Sequence, residues 1–426
     1  MPVYLFILLT AATVFISSPL AAGFDDFQTP AFDASSLDSA PEPPSNWKNT
    51  LSYSNAANDQ SDTIINHLSW RLQWEGLQGE NNYWVIDTKL RAFNRLDIQH
   101  DGNSTVDYDL NLNSLYLQKS FEQISLKAGY QTVTLGFIDY INVSNVFTPQ
   151  DYTEAVFTSP EDSRIGQPVI NMTWYHDSQQ IDIYLNLAPA KNTYPAHSLV
   201  QTLAENLGNN NFTLQDALPD ALDKPELLLK LQSQNGNHDY QLVIASLLQN
   251  DPSLEPVSIS PAVVFSAEYP RYNLLAGAYS FTQENHQFKF EASVKNDVKP
   301  ADTNNLKTDE STIALGWEYN ANDSYTLTLE TSKLFRNLPI TIPSSIETEF
   351  SQSALSWRKN FLNETLTANL FLGSVNPGHI EISSLSISYT PADDWVLELI
   401  FTEVKAEEPQ TSLFNSNTLI KASTYW

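Results

Sequence analysis

From Trp47 onward the chain is a succession of segments, each about ten residues long, in which apolar and polar side chains alternate between short turn clusters. In 64–75 (IINHLSWRLQWE), Ile64, Leu68, Trp70, Leu72 and Trp74 occupy even positions, and His67, Ser69, Arg71, Gln73 and Glu75 occupy odd ones. Successive side chains of a strand point to opposite faces, so the large apolar groups share one face and the ionisable groups the other. The next segment repeats the arrangement, with Trp84, Ile86, Leu90 and Leu96 opposing Asp87, Lys89, Arg91, Arg95 and Asp97. Further segments of this kind lie at 107–119, 124–136, 167–176, 179–188, 225–235, 238–249, 258–268 and 271–282. The C-terminal half adds 286–296, 309–320, 324–336, 348–361, 364–374, 379–390, 395–405 and 415–426. Their separators, such as Asn235-Gly236-Asn237 and Asn376-Pro377-Gly378, carry turn residues. Between Asp109 and Leu117 the apolar phase slips from Leu110 and Leu112 to Leu115 and Leu117, which predicts a β-bulge.

Two-faced strands with no fixed-period repeat and no domain linkers predict an all-β transmembrane antiparallel up-and-down β-barrel. Eighteen segments run from Ile64, and Trp47 to Tyr53 would be a nineteenth. An even barrel with both ends on one side needs an even count, so about 18 strands are expected, with 16 next. Either 47–53 then lies outside the wall or one hairpin is misassigned. Two insertions, 137–166 and 189–224, are too long for plain turns, and the second contains helical patterns at Ser198–Leu207 and Leu214–Leu222. Inward-folding loops that constrict the barrel are one reading of them; surface loops without a role in the pore are the other.

Residues 4–16 (YLFILLTAATVFI) are apolar and are followed by small side chains up to Ala22. The stretch is too short to span a bilayer and reads as a signal peptide over 1–22, cut before Gly23. An internal hydrophobic helix is the alternative. Residues 23–46 form an extended acidic N-terminal segment, and the barrel occupies 47–426. Export into the outer membrane of a Gram-negative bacterium follows, with outer-membrane lipids and lipopolysaccharide as surroundings. The terminal Tyr425-Trp426 is the aromatic strand end that barrel assembly machinery reads.

Composition narrows the function classes. A net charge of −28 excludes a nucleic-acid partner, which needs a basic face. With no Cys there is no disulfide scaffold or thiol chemistry. Against that acidity, Arg71, Lys89, Arg91, Arg95, Lys119 and Lys127 crowd the early strands opposite Glu75, Asp87 and Asp97. They form either a ladder of ion pairs holding the wall or a transverse field across the lumen. In the first insertion Pro149 stops a strand, Asp151 and Glu154 either cap a short helix or line a constriction, and Arg164 lies at its end.

Catalytic and metal signals are weak. His67 and Ser69 have the two-residue spacing of a lipid-facing esterase pair but share parity with Arg71 and Glu75, so they face the lumen. No nucleophile elbow or phosphate loop occurs, and the seven His are scattered. Asp25-Asp26 and Glu407-Glu408 are as well explained by solvated loops as by calcium. No enzyme, cofactor or metal is expected.

Residues 126–136 (LKAGYQTVTLG), Asp139 and 146–154 (VFTPQDYTE) resemble a widespread proteobacterial outer-membrane barrel family that is porin-like and distantly similar to alginate exporters. The family pattern is Gly-Arg-Gln, Trp-Gly, Asp and Pro-x-Asp-x-x-Glu. Here Tyr130 stands in the Arg position and Leu135 in the Trp position. The resemblance implies a β-barrel channel and names no substrate, and without the Arg it carries no ligand charge over. The expected function is passage of polar solutes through a constricted lumen, lined by Arg71, Glu75, Asp87, Lys89, Arg91, Arg95, Asp151, Glu154 and Arg164. An export conduit for a polysaccharide or lipid, working with a periplasmic or inner-membrane transporter partner, is the alternative. A structural or adhesive barrel without an open pore is a third reading.

Overall fold

The computed structural model describes residues 46–58, 63–78, 81–95, 105–141, 143–151, 163–193, 212–216, 224–258, 263–300, 306–321, 325–337, 348–377, 379–392, 394–405 and 417–425. The alternating segments become strands. The first seven are β1 (Asn46–Asn58), β2 (Thr63–Gln78), β3 (Asn82–Arg95), β4 (Thr105–Ser120), β5 (Ile124–Gln131), β6 (Gln167–His176) and β7 (Gln179–Asn186). Next come β8 (Phe212–Asp216), β9 (Glu226–Asn235), β10 (His238–Leu248), β11 (Ser253–Ser258), β12 (Val263–Glu268), β13 (Arg271–Gln283) and β14 (His286–Val298). The last are β15 (Thr308–Asn320), β16 (Tyr325–Asn337), β17 (Glu349–Phe361), β18 (Leu366–Asn376), β19 (Ile380–Ala392), β20 (Trp395–Lys405) and β21 (Asn417–Tyr425).

Eighteen of these strands form one sheet. β1 pairs antiparallel with β2 on one side and with β21 on the other, so the sheet closes on itself. Closure removes the row of unpaired amides that a sheet edge would expose. The two faces are inverted relative to a protein in water. Leu68, Trp70, Leu90, Leu229, Ile244, Leu275, Ile313, Leu315, Leu372 and Ile420 are exposed on the outside. Lys89, Arg91, Asp182, Lys230, Glu291, Glu310 and Glu330 are buried inside. An apolar solvent outside and a polar interior make that arrangement favourable, as in membrane barrels.

Connections differ sharply between the rims. Turns 79–81, 121–123, 177–178, 236–237, 284–285, 321–324, 362–365 and 393–394 lie at the rim that also carries Asn46 and Tyr425. The strand ends that flank 59–62, 96–104, 132–166, 187–225, 249–270, 299–307, 338–348, 377–379 and 406–416 lie at the other. An even strand count places both ends of the barrel on one rim, and both long insertions on the opposite one.

Several expectations change. The segment at 47–53 belongs to β1 inside the wall, whereas 258–268 does not: β12 joins β11 and β8 in a separate three-stranded sheet within the connections of the long-loop rim. That exchange restores the even count. The 214–222 helical pattern begins instead inside β8, because Phe212–Asp216 pairs in parallel with β12; Ser198–Leu207 lies outside the described residues. Strand 124–136 ends early, at Gln131. The phase slip is a bulge: Asp87 faces Ser114 and Thr88 faces Leu112, leaving Asn113 as the extra residue. Gly166 approaches this bulge so closely that a Cβ there would run into the carbonyl oxygens of Leu112 and Asn113.

Leu315→Arg puts a cation on the lipid face in mid-strand, and is expected to lower stability by about 2–4 kcal/mol in denaturant unfolding from vesicles. An unchanged unfolding midpoint would contradict the assignment of that face to lipid.

Candidate functional site

At Gln131 the chain leaves the wall and folds into the barrel. Thr148 closes the excursion on itself: its Oγ1 accepts the Val133 N–H at 2.7 Å and donates to the Val133 carbonyl at 2.8 Å. Between these residues the segment has neither helix nor strand partners, so its amides need acceptors elsewhere. The far wall supplies them. Gly136 N–H donates to Gln241 Oε1 of β10 at 2.7 Å. Phe137 and Ile138 N–H both donate to Glu291 Oε1 of β14, the second at 2.7 Å. Asp139 and Tyr140 N–H donate to the two oxygens of Glu330 on β16, at 2.7 and 2.6 Å. Four consecutive amides are thus held by two buried carboxylates, with charge-assisted bonds stronger than neutral ones.

Side chains reinforce the clamp. Ser144 Oγ donates to Glu291 Oε2 at 2.8 Å, and Tyr140 OH donates to Ser356 Oγ of β17 at 2.9 Å. Burial pushes the Tyr140 phenol well above the ordinary tyrosine range, so it stays a neutral donor. The Asp139 carboxylate pairs with Lys289 of β14, which also reaches Glu318 at 3.1 Å. Gly136 has φ 85°, and a Cβ there would run into Glu291 Oε1 and Ser144 Oγ; only glycine fits the closest approach to the wall.

Apolar contacts set the path of the segment. Val133, Leu135 and Phe147 pack into a cluster with Val169, Tyr184, Leu228, Val243, Leu274 and their neighbours, on the inner face of β6, β7, β9, β10 and β13. Tyr140, Ile141 and Val143 pack with Ala314, Ala354, Phe371, Val375, Ile380 and Ile382, on β15 and β17 to β19. The segment therefore covers the inner wall from β6 round to β19. The inner face of β1 to β4 is left opposite it. On the return limb, Gln150 N–H donates to Asn192 Oδ1 at 2.8 Å and Asn250 Nδ2 donates to the Val146 carbonyl at 2.9 Å. These bonds tie the segment to the 187–225 and 249–270 connections.

The residues expected to line the lumen are partly brought together. Arg71 grips Asp87 with two bonds, Nε to Oδ1 at 2.7 Å and Nη2 to Oδ2 at 2.6 Å. Arg91 bridges Asp109 of β4 at 2.9 Å and Asp151 of the inserted segment at 3.0 Å. Asp151 thus joins the end of the segment to the basic wall. Glu75 accepts the Tyr83 hydroxyl, and Lys89 is buried between the inward positions of Asp87 and Arg91. Arg164 Nη1 donates to Thr134 Oγ1 at 3.0 Å, within the segment itself. Arg95 ends β3 with its side chain outside the described residues, and Glu154 lies outside them altogether. His67 and Ser69 are buried on the inward face, away from lipid.

Glu291, Glu330, Lys289, Glu318, Gln241, Tyr140 and Ser356 escaped the sequence reading. One signal was available. β10 (QLVIASLL) and β13 (YNLLAGAY) carry apolar residues on both faces. In a membrane barrel with a wet lumen, a strand apolar on both faces implies that something docks on its inner side.

The architecture is a closed 18-stranded antiparallel barrel whose bore is partly filled by an inward-folded connection between β5 and β6. No protein-family model matches the sequence, and no curated protein matches it. The fold is similar to Acinetobacter baumannii OccAB1, at 10% identity over 89% of this chain and 95% of that chain, with a TM-score of 0.54. A. baumannii OccAB4 aligns at 11% identity over 90% and 98% of the two chains, also with a TM-score of 0.54. Pseudomonas aeruginosa OpdK, solved with vanillate, aligns at 8% identity over 89% and 97%, again with a TM-score of 0.54. At these identities the shared property is the fold.

Replacing both clamp carboxylates, Glu291→Gln with Glu330→Gln, removes their charge and turns one acceptor oxygen of each into an amide donor. Single-channel records are expected to show higher and noisier conductance as the segment detaches. Conductance equal to the parent protein would show that the clamp does not hold the bore.

Proposed function

We propose that this chain is an outer-membrane channel that passes small polar solutes through a bore narrowed by residues 132–151. The observation that carries the reading is the clamp of four consecutive amides on Glu291 and Glu330, which fixes the segment inside a closed barrel rather than over its rim. Ordered non-helical backbone at membrane depth is tolerated where it lines or fills a polar interior. The likeness in fold to the Occ and Opd outer-membrane porins supports the same reading.

In this reading the solute passes between the inserted segment and the inner faces of β1 to β4. Arg71, Lys89 and Arg91 stand on that wall, interleaved with Asp87 and Asp109, and Asp151 meets them from the segment. Alternating fixed charges orient a polar solute and exclude apolar ones. Signal-peptide removal before Gly23, insertion guided by the terminal Trp426, and lipopolysaccharide around the long-loop rim belong to the same proposal.

Planar-bilayer recording of the purified protein tests it. Stepwise ion current is expected, and no current under any condition would sink the channel reading. Excising 137–145 should raise unitary conductance, since this stretch makes the far-wall contacts. Substituting Arg71→Ala and Lys89→Ala together should move the reversal potential toward cation preference, because Asp87 then faces the bore uncompensated; an unmoved potential would place the conducting path elsewhere.

A further inference from the structure

Histidines that are scattered in the sequence come together at one level of the barrel. His176, His238 and His286 each adjoin a turn of the short-turn rim, at 177–178, 236–237 and 284–285. Each shares outward parity with an exposed aromatic residue, Trp174, Tyr240 and Phe288 respectively. His176 stacks on Trp174 at 5.6 Å between centroids. His238 stacks on Phe281 at 4.8 Å and on Tyr279 at 6.0 Å. His286 stacks on Trp317 at 5.9 Å and packs against Tyr319 at 4.9 Å.

The hydrogen bonds fix which ring nitrogen is used. Trp317 Nε1 lies 3.2 Å from His286 Nδ1. An indole nitrogen only donates, so Nδ1 is the acceptor and the ring proton sits on Nε2. His238 Nδ1 lies 2.8 Å from Tyr279 OH, a group that either donates or accepts. When the phenol donates, His238 also carries its proton on Nε2. Among the described residues neither Nε2 has a further partner. Both rings stand at the end of the apolar belt, where hydrocarbon gives way to headgroups and the acceptor at hand is a phosphodiester. His238 faces Phe281, and His286 faces Gln283 on the same strand. The two rings are therefore about 12 Å apart, two strand spacings across β13 and two residues along it.

We propose that this belt is a docking surface for phospholipid headgroups, with His238 and His286 donating Nε2–H bonds to headgroup phosphate. The inference rests on the membrane reading above. It is tested on the full-length barrel in detergent by native mass spectrometry with added phosphatidylglycerol. His238→Phe with His286→Phe keeps the stacking and removes the donors. Retention of phosphatidylglycerol is expected to weaken at least about tenfold for each of the two donors removed, as for hydrogen bonds to a charged acceptor. His238→Gln with His286→Gln keeps a donor at each position and should recover part of the retention. Equal retention by the Phe variant and the parent overturns the proposal, as does displacement of the lipid by inorganic phosphate, which would mark a free-anion site. Insertion into vesicles is read separately by conductance. A chain that never inserts overturns the membrane reading, whereas insertion with unaltered lipid retention overturns only the docking surface.

Discussion

Every backbone amide in a membrane must find a partner within the protein, because hydrocarbon offers none. For this chain that constraint acts twice. Along the wall it is met by closure: β1 pairs with β21, and no edge faces lipid. Inside the bore it returns in a harder form, because an irregular segment has no regular partners for its own amides. Glu291 and Glu330 answer it by accepting the N–H groups of residues 137–140.

The clamp explains several features that otherwise look unrelated. Two carboxylates are stable on the inner wall because the amides and Ser144 surround them. Gly136 is required where the segment comes closest to Glu291. Asp139 and Glu318 share Lys289, so the cation beside Glu291 is neutralised on two sides. The apolar inner faces of β10 and β13, with Leu228 of β9, are covered by Val133, Leu135 and Phe147 and are not left facing water. Polar and apolar anchoring act on the same segment from the same side of the barrel. The charged face of β2 and β3 remains opposite, with Arg91 tying in Asp151.

Much of the wall was legible from period-2 alternation alone. Leu68 and Trp70 face out and His67 and Ser69 face in, as their parity requires. Even the bulge at Asn113 was visible as a slip in the apolar phase. The errors fall where local pattern has two solutions. Residues 258–268 alternate like a wall strand, yet β12 pairs with β11 and with the distant β8 in a small separate sheet. Residues 132–136 continue the alternation of β5, yet they turn inward because Thr148 and the far wall hold them there.

By itself the sequence determined the barrel, its two-faced strands and its even count near 18, because alternation is a local property that each segment carries independently. It also placed Arg71, Asp87 and Arg91 on one face. Only the tertiary structure decided which carboxylates hold the inserted segment. Glu291 and Glu330 lie more than 150 residues from the amides they bind, and their separation of 39 positions carries no periodic signal. The partner of a buried charge is chosen by the geometry of closure, which brings opposite walls to within one segment's width, and no local pattern in the chain encodes that distance.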